Sequence, residues 1–286
     1  MLTAEAPAGA PAAAAVMARA GSENFPVASR VLPRAVRADL LAIYGFARLT
    51  DELGDALPGE RLAALDWLEA ELEQAFAGRA EHPLLVSLTP TLRRCGLARE
   101  PFLRLIEANR MDQRISRYET WQQLRSYCAL SADPIGELVL QVLGEATPTR
   151  IGFSNSICTA LQLIEHCQDV REDLHAGRVY LPQEDLKRFG CSQAELAAEH
   201  AGEPLRRLIA FEVARSRTLL DAGAPLIDEL HGRVRLAVAA FLAGGRAAAG
   251  AIERAGFDVL GGPPAVGQLR RLQALAQTLR ARPRGA

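Results

Sequence analysis

An all-α fold follows from three features of the 286-residue sequence. Apolar residues recur at three- and four-residue intervals along most of the chain. No segment alternates polar and apolar residues or strings β-branched residues together as a strand does, and Pro or Gly punctuates the joints between helical stretches. With 49% hydrophobic and 23% charged residues, the composition is that of an ordinary globular chain able to bury a core. No fixed-period repeat or low-complexity linker divides it. One large helical domain is therefore expected over residues 21–260, after a flexible Ala/Pro leader at 1–20 and before a basic tail at 261–286.

Residues 6–18 are apolar but rich in Pro and Gly, and no basic segment precedes them, so the leader is read as a frayed end and not a signal peptide. Residues 22–26 form a polar, Pro-broken turn, and Pro33 opens a helix that stops near residues 54–58. Residues 59–78 and 82–94 are scaffold helices, with Leu62, Leu65, Leu68, Leu72 and then Leu84, Leu85, Leu88, Leu92 at helical spacing. The helix at 101–114 ends in a polar cluster, Asn109 to Arg114, placed as facing the same cavity as the first acidic helix. Pro134 and Gly136 predict a kink or break within 120–143. Residues 150–175 read as one long helix, uncharged in front and acid-rich behind, followed by a loop at 177–182 that folds back across its end. Helical segments follow at 183–189, 192–200, 204–222 and 233–255, and the pair Gly244 and Gly245 permits a close helix contact or a kink. The basic amphipathic stretch 268–282, with Arg270, Arg271, Arg280 and Arg282, is read as a solvated last helix; reversible contact with an anionic membrane surface is the alternative.

A formal net charge of -1 gives no reason to expect nucleic acid, so an anionic ligand must be held by local charge. Five cysteines without a CxxC suggest neither a disulfide framework nor a thiolate zinc site, and a reducing cytoplasm is the simplest compartment. No uncharged run approaches the roughly 20 residues of a membrane span. Phosphate loops of the GxxxxGK[ST] or GxGxxG kind and a GxSxG elbow are missing from the sequence. His166 and His175 form no HxxxH and are assigned structural or surface roles.

The polar residues that do stand out form two stripes. Tyr44, Arg48, Asp51 and Asp55 follow one another at i, i+4, i+7 and i+11, between apolar flanks Leu41, Ile43, Leu49 and Leu53. A solvated surface face is the plain alternative, but like charges at that spacing repel and the flanks are too apolar for a helix bathed in water. A shared cation accounts for both. Gln162, Glu165 or His166, Asp169 and Asp173 repeat the arrangement. Clustered carboxylates are hard ligands, and Mg²⁺ combines a few of them with waters and phosphate oxygens. Two such stripes facing each other describe a diphosphate site bridged by metal, with Arg48 and Arg178 as direct donors to phosphate. An apolar helical cavity with acids at its mouth suits a long hydrocarbon diphosphate, whose dry walls would shelter a carbocation.

The segments FPVASRVLP (25–33), AIYGFARLTDELGD (42–55), YCALSADPIGELVL (127–140), LQLIEHCQDVREDLHAGRVYLP (161–182) and AIERAGFDVL (251–260) resemble the squalene/phytoene synthase family of head-to-head prenyl synthases. ENFPVASR and QDVREDLHAGRVYLP look most like its bacterial hydroxysqualene synthase branch, which serves hopanoid pathways. The resemblance implies an isoprenoid synthase fold with a central apolar cavity. It implies Mg²⁺ on Asp51, Asp55, Asp169 and Asp173, and diphosphate contacts from Arg48 and Arg178. By the same matching Tyr44, Tyr127 and Tyr180 line the reaction chamber, with Phe25 and Gln162 contributing to substrate binding. Glu52 and Glu172 lie off the stripes and are weaker candidates.

Two departures are visible: Glu165 stands where many relatives have Asn, adding a charge next to the metal or holding a water, and the first motif reads DELGD where relatives commonly have two adjacent Asp. The expected reaction turns presqualene diphosphate and water into hydroxysqualene and diphosphate. Condensation of two prenyl diphosphates, to presqualene diphosphate, squalene or phytoene, is the alternative within the family. A non-catalytic helical partner of such a synthase is the alternative outside it. The partner expected is the prenyl diphosphate, with contact of the tail to an inner membrane face and association with other enzymes of the squalene pathway as secondary readings.

Overall fold

The computed structural model describes residues 6–7, 9–21 and 31–280. Apart from an isolated bridge between Arg117 and Val179, all regular structure among these residues is helical, as expected. The α-helices are α1 (Ala13–Ala18), α2 (Arg34–Asp51), α3 (Arg61–Ala77), α4 (Pro83–Cys95), α5 (Glu100–Asp112), α6 (Trp121–Ser131), α7 (Asp133–Val142), α8 (Pro148–Gln168), α9 (Val170–His175), α10 (Gln183–Phe189), α11 (Gln193–Leu196), α12 (Glu203–Gly223), α13 (Leu226–Glu229), α14 (Gly232–Arg254) and α15 (Gln268–Arg280). They group into two compact units. One is the chain through Arg114 together with Pro134–Thr147; the other is Ile115–Asp133 and the chain from Pro148 onward.

In the first unit α2 packs on α4 and α5, and α3 packs on the same two helices. The leucines singled out by periodicity form the core, Leu65, Leu68, Leu72, Leu85 and Leu88 being fully buried, while Leu62 stays exposed. Phe46 of α2 meets Phe102 of α5 edge-on, ring centroids 5.0 Å apart. Buried acids here are satisfied locally: Asp39 accepts from Thr91 and Arg94, and Glu71 accepts the backbone N–H groups of Glu81 (3.1 Å) and His82 (3.0 Å) at the start of α4. The leader departs from expectation. Its alanines, the best helix formers, build α1, and Val16 is buried in the core beside α2. Residues 22–26 lie outside the described residues.

In the second unit α8 packs against α12, α14 and α6. Gly245 belongs to a close contact and not a kink: α14 runs unbroken, and a Cβ at Gly245 would lie 2.6 Å from Leu161 Cδ2 of α8. By length and composition α14 could cross a membrane, yet it packs within its unit against α8, α12 and α15 as a core helix does. The break predicted in 120–143 falls at Ala132, between α6 and α7. The long helix expected at 150–175 is interrupted at Asp169, whose φ of -101° and ψ of 15° leave the α region. The segment expected at 192–200 is helical only as α11, closed by a capping box between Ser192 and Glu195.

Glu212 supplies a pH-dependent term. It is fully buried on α12 and accepts from Arg215 through both oxygens at 2.8 Å, while Arg215 also reaches Asp185 at 2.9 Å. Burial outweighs the attraction of Arg215 and, helped by repulsion from Asp185, pushes Glu212 up from 4.5 to about 8. Between those values the folded protein holds a proton that the unfolded chain has lost. Stability from this group is therefore complete at low pH and falls as pH rises to about 8, by up to about 1.4 kcal/mol per pH unit. Denaturant unfolding across that range should show the fall in the wild type and a flatter profile in Glu212→Gln.

Candidate functional site

α2 carries Tyr44, Arg48 and Asp51 on successive turns, and at Asp51 the α-helix gives way to a π-helical turn, Glu52–Ala56. The wider turn is closed by the Leu57 N–H donating to the Glu52 carbonyl at 3.0 Å. The turn packs against α5. A Cβ at Gly54 would sit 2.0 Å from Asn109 Oδ1, so only glycine lets that side chain press into the turn. Gln113 Nε2 then donates to the Gly54 carbonyl at 2.9 Å, and Asn109 Nδ2 approaches Asp51 Oδ1 at 3.4 Å. The polar end of α5 does face the first acidic motif, as its sequence suggests, though Arg110 turns away to Asp66 and Glu69.

The carboxyl of Asp51 is pushed up to about 7, chiefly by desolvation and next by Asp55, with Asp112 adding to it; Arg48 and Asn109 offset only part. Asp51 nevertheless keeps exposed surface. Solvent at that exposed surface screens part of the shift. Glu52, beside the pair in sequence, is occupied by Arg48 and Arg19, each 3.0 Å from Oε1.

The second motif sits at the α8–α9 break. The Asp169 N–H still donates to Glu165 O at 2.9 Å and the Asp173 N–H to Asp169 O at 2.8 Å, so the two acids remain one turn apart. The Arg178 N–H donates to Asp173 O at 2.8 Å, which tethers the loop holding that guanidinium. Desolvation and then Glu172 raise Asp169 to about 6. Desolvation and then Asp169 raise Asp173 to about 7, Arg178 working against them and Glu172 and Glu165 with them. Glu165 thus shares the field of the pair.

Both clusters hold more negative charge than their arginines balance, and their donors are hard oxygens; these residues fit Mg²⁺. Among the described residues no three His, Cys, Asp or Glu side chains form a metal cage by themselves. Each pair offers the one or two carboxylates that Mg²⁺ takes from protein when waters and phosphate supply the rest.

Beside the second pair stands an aromatic wall. The loop after α9 folds back as predicted, Val179 N–H donating to Ser116 O and Gln183 N–H to Tyr118 O, both at 2.8 Å. This seats buried Tyr180 against buried Tyr127 (5.4 Å, stacked) and Tyr118 (5.9 Å, stacked). The guanidinium of Arg178 lies 6.0 Å from the Tyr180 ring centre. Tyr118 carries no motif and went unnoticed in the sequence.

His166 is no surface histidine. It is buried, its ring lies flat on Tyr180 (4.0 Å, 11°), and burial, then Arg178, pushes it down to about 3, so it is neutral. Its place on the stripe, four residues after Gln162 and seven before Asp173, was the signal. Of the other expected residues, Arg48 joins Asp51 and Asp55, while Gln162, Glu165, Asp169, Asp173 and Arg178 join Tyr127 and Tyr180. Tyr44 is half-buried one turn before Arg48. Phe25 lies outside the described residues.

The sequence profile described as squalene/phytoene synthase matches residues 18–275. A hydroxysqualene synthase of Sinorhizobium fredii is 37% identical over 225 residues, which cover 77% of this chain and 76% of that protein. A phytoene synthase of Arthrospira platensis is 34% identical over 253 residues, 83% of this chain and 82% of that one. The crystal structure of squalene synthase HpnC from Alicyclobacillus acidocaldarius matches with a TM-score of 0.79 at 43% identity, covering 86% of this chain and 93% of that one.

Proposed function

Because the chain belongs to the squalene/phytoene synthase family, we propose that it converts presqualene diphosphate and water to hydroxysqualene and diphosphate with Mg²⁺ bound. The observation that carries the reading is the second motif, where two poorly hydrated acids and Arg178 adjoin a wall of buried rings. A diphosphate leaving group needs the first, and the cation left behind needs the second.

In this reading Asp51 and Asp55 would hold metal in one unit, and Asp169 and Asp173 with Glu165 would hold it in the other. Bound Mg²⁺ supplies Lewis-acid stabilisation of the departing diphosphate. Arg48 in the first unit and Arg178 in the second are each proposed as donors to phosphate oxygens. Tyr127 and Tyr180 belong to the aromatic wall that would border the cyclopropylcarbinyl cation and stabilise its charge. Tyr44, Phe25 and Gln162 are each proposed as further substrate contacts.

The phytoene synthase of Arthrospira platensis keeps a second reading open, condensation of two prenyl diphosphates. Purified protein with Mg²⁺ should be given presqualene diphosphate and farnesyl diphosphate separately. Hydroxysqualene from the former is the expected product. Its absence, with condensation products from the latter, would replace the first reading by the second. A non-catalytic partner role would leave two strained acid clusters without a purpose, and inactivity on both substrates would favour it.

The tail adds a location, the cytoplasmic face of a membrane. Leu269 and Leu272 are 69% and 63% exposed on α15, beside exposed Arg270 and Arg271. Leucines for the acyl boundary and arginines for anionic headgroups suit reversible attachment near other enzymes handling squalene precursors. Sedimentation with vesicles rich in phosphatidylglycerol should carry the protein down at low salt, and vesicles of phosphatidylcholine should not; no sedimentation with either would exclude the attachment.

A further inference from the structure

We infer that His166 and Gln162 hold the water that captures the carbocation, and so decide that the product carries a hydroxyl group. This rests on the function proposed above and adds to it the residues that choose its outcome.

Tyr118, Tyr127, Tyr180 and His166 form one continuous set of rings, with Tyr180 at its centre. Three of the four present carbon edges and a distant hydroxyl. His166 alone places two nitrogen atoms in the ring, on the panel lying flat against Tyr180 at 4.0 Å. Its two polar neighbours fix how those nitrogens are used. Gln162 Nε2 lies 3.4 Å from His166 Nε2, and an amide nitrogen only donates. With the amide nitrogen as donor, His166 Nε2 accepts, which assigns the proton of the neutral ring to Nδ1.

That N–H faces Asp173 Oδ2 across 3.9 Å. The distance is too long for a direct hydrogen bond, and it fits a water touching both groups from the side. Such a water accepts from His166 Nδ1–H and donates one hydrogen to Asp173, which leaves a lone pair free. Gln162 matters because it fixes the tautomer. With Nε2 occupied by an amide donor, the ring has no alternative to presenting Nδ1–H to the water.

The step balances without a redox partner. The C–O bond to diphosphate breaks with its electron pair on the leaving group, the water oxygen forms a new C–O bond to the rearranged cation, and one water proton passes to the diphosphate. Where no water is held, the cation is quenched by proton loss from carbon and the product is a dehydrated hydrocarbon. The difference between those outcomes is one ordered water molecule.

His166→Phe keeps a ring on Tyr180 and removes both nitrogens. His166→Asn loses the stack but returns an N–H donor near the Nδ1 position. Each is incubated with Mg²⁺ and presqualene diphosphate, and hydroxylated product is measured per diphosphate released. The expected result is a fall of at least about tenfold in that ratio for His166→Phe, with hydrocarbon in its place, and partial recovery for His166→Asn. Gln162→Leu, which frees the tautomer, should lower the ratio less and serves as the test if His166→Phe is misfolded by circular dichroism. An unchanged ratio in a folded His166→Phe, or in Gln162→Leu should that variant be needed, overturns the inference. So does complete loss of diphosphate release in a folded variant, because it would place the residue in ionisation. A wild type that makes no hydroxylated product would instead overturn the proposed reaction itself.

Discussion

Asp51→Asn should lower Mg²⁺-dependent diphosphate release by about 10³-fold or more and leave the metal-free protein at least as stable as the wild type. The two effects have one cause. Asp51 is held at about 7 by desolvation and by Asp55, with Asp112 contributing. Repulsion from Asp55 and Asp112 opposes its charge in the folded chain, and a bound cation relieves that repulsion. Asn keeps the shape and the contact from Asn109 but gives up the charge. The lost metal interaction is of the order of several kcal/mol in the transition state, which is the stated rate factor. Without metal the sign reverses: a folded value above the ordinary 3.8 means that stability falls as pH rises towards about 7, and Asn removes that fall. Asp169→Asn should act likewise, since desolvation and Glu172 hold Asp169 at about 6. Calorimetry with and without Mg²⁺ and inorganic diphosphate gives a readout separate from turnover: the wild type should gain melting temperature on addition, and the variants should gain less. Full turnover in both variants would remove the metal assignment.

Gly54→Ala should reduce activity on the order of 10²-fold although no functional group is lost. The added Cβ would stand 2.0 Å from Asn109 Oδ1 and 2.9 Å from its Cγ, inside the van der Waals limit. Asn109 is buried and anchored to the Leu105 carbonyl, so it yields only by leaving Asp51 or by forcing the π-helical turn open. Either way Asp55 moves relative to Asp51, and displacements of about 1 Å at a positioned ligand carry penalties of that size. Gly152→Ala is the control. A Cβ there meets nothing within 4 Å, and alanine favours the helix, so activity should be unchanged and stability slightly higher. Equal activity in Gly54→Ala and Gly152→Ala would show that the widened turn has no role in the site.

The two variants differ in how they could be foreseen. Asp51, Asp55, Asp169 and Asp173 were legible because a helix is a local structure: residues spaced by four share a face whatever the rest of the chain does. Gly54 was not, because its reason is Asn109, on another helix. The same holds for His166. In the sequence it is a histidine without a metal-binding partner, and only the Tyr180 ring, brought back by the loop at 177–182, gives it a place. The leader was misread for a related reason: Ala and Pro content describes a free end, and nothing local says that Val16 finds a core beside α2.

What the sequence determined by itself is the all-α class, most helix positions, the two acidic stripes and the family they belong to, all encoded in spacings shorter than a few turns. Tertiary structure decided how those stripes end. It widened the first at Glu52–Ala56, where α5 packs, and broke the second at Asp169. It also decided which neighbours each acid feels, because desolvation and charge act through space between segments far apart in the chain.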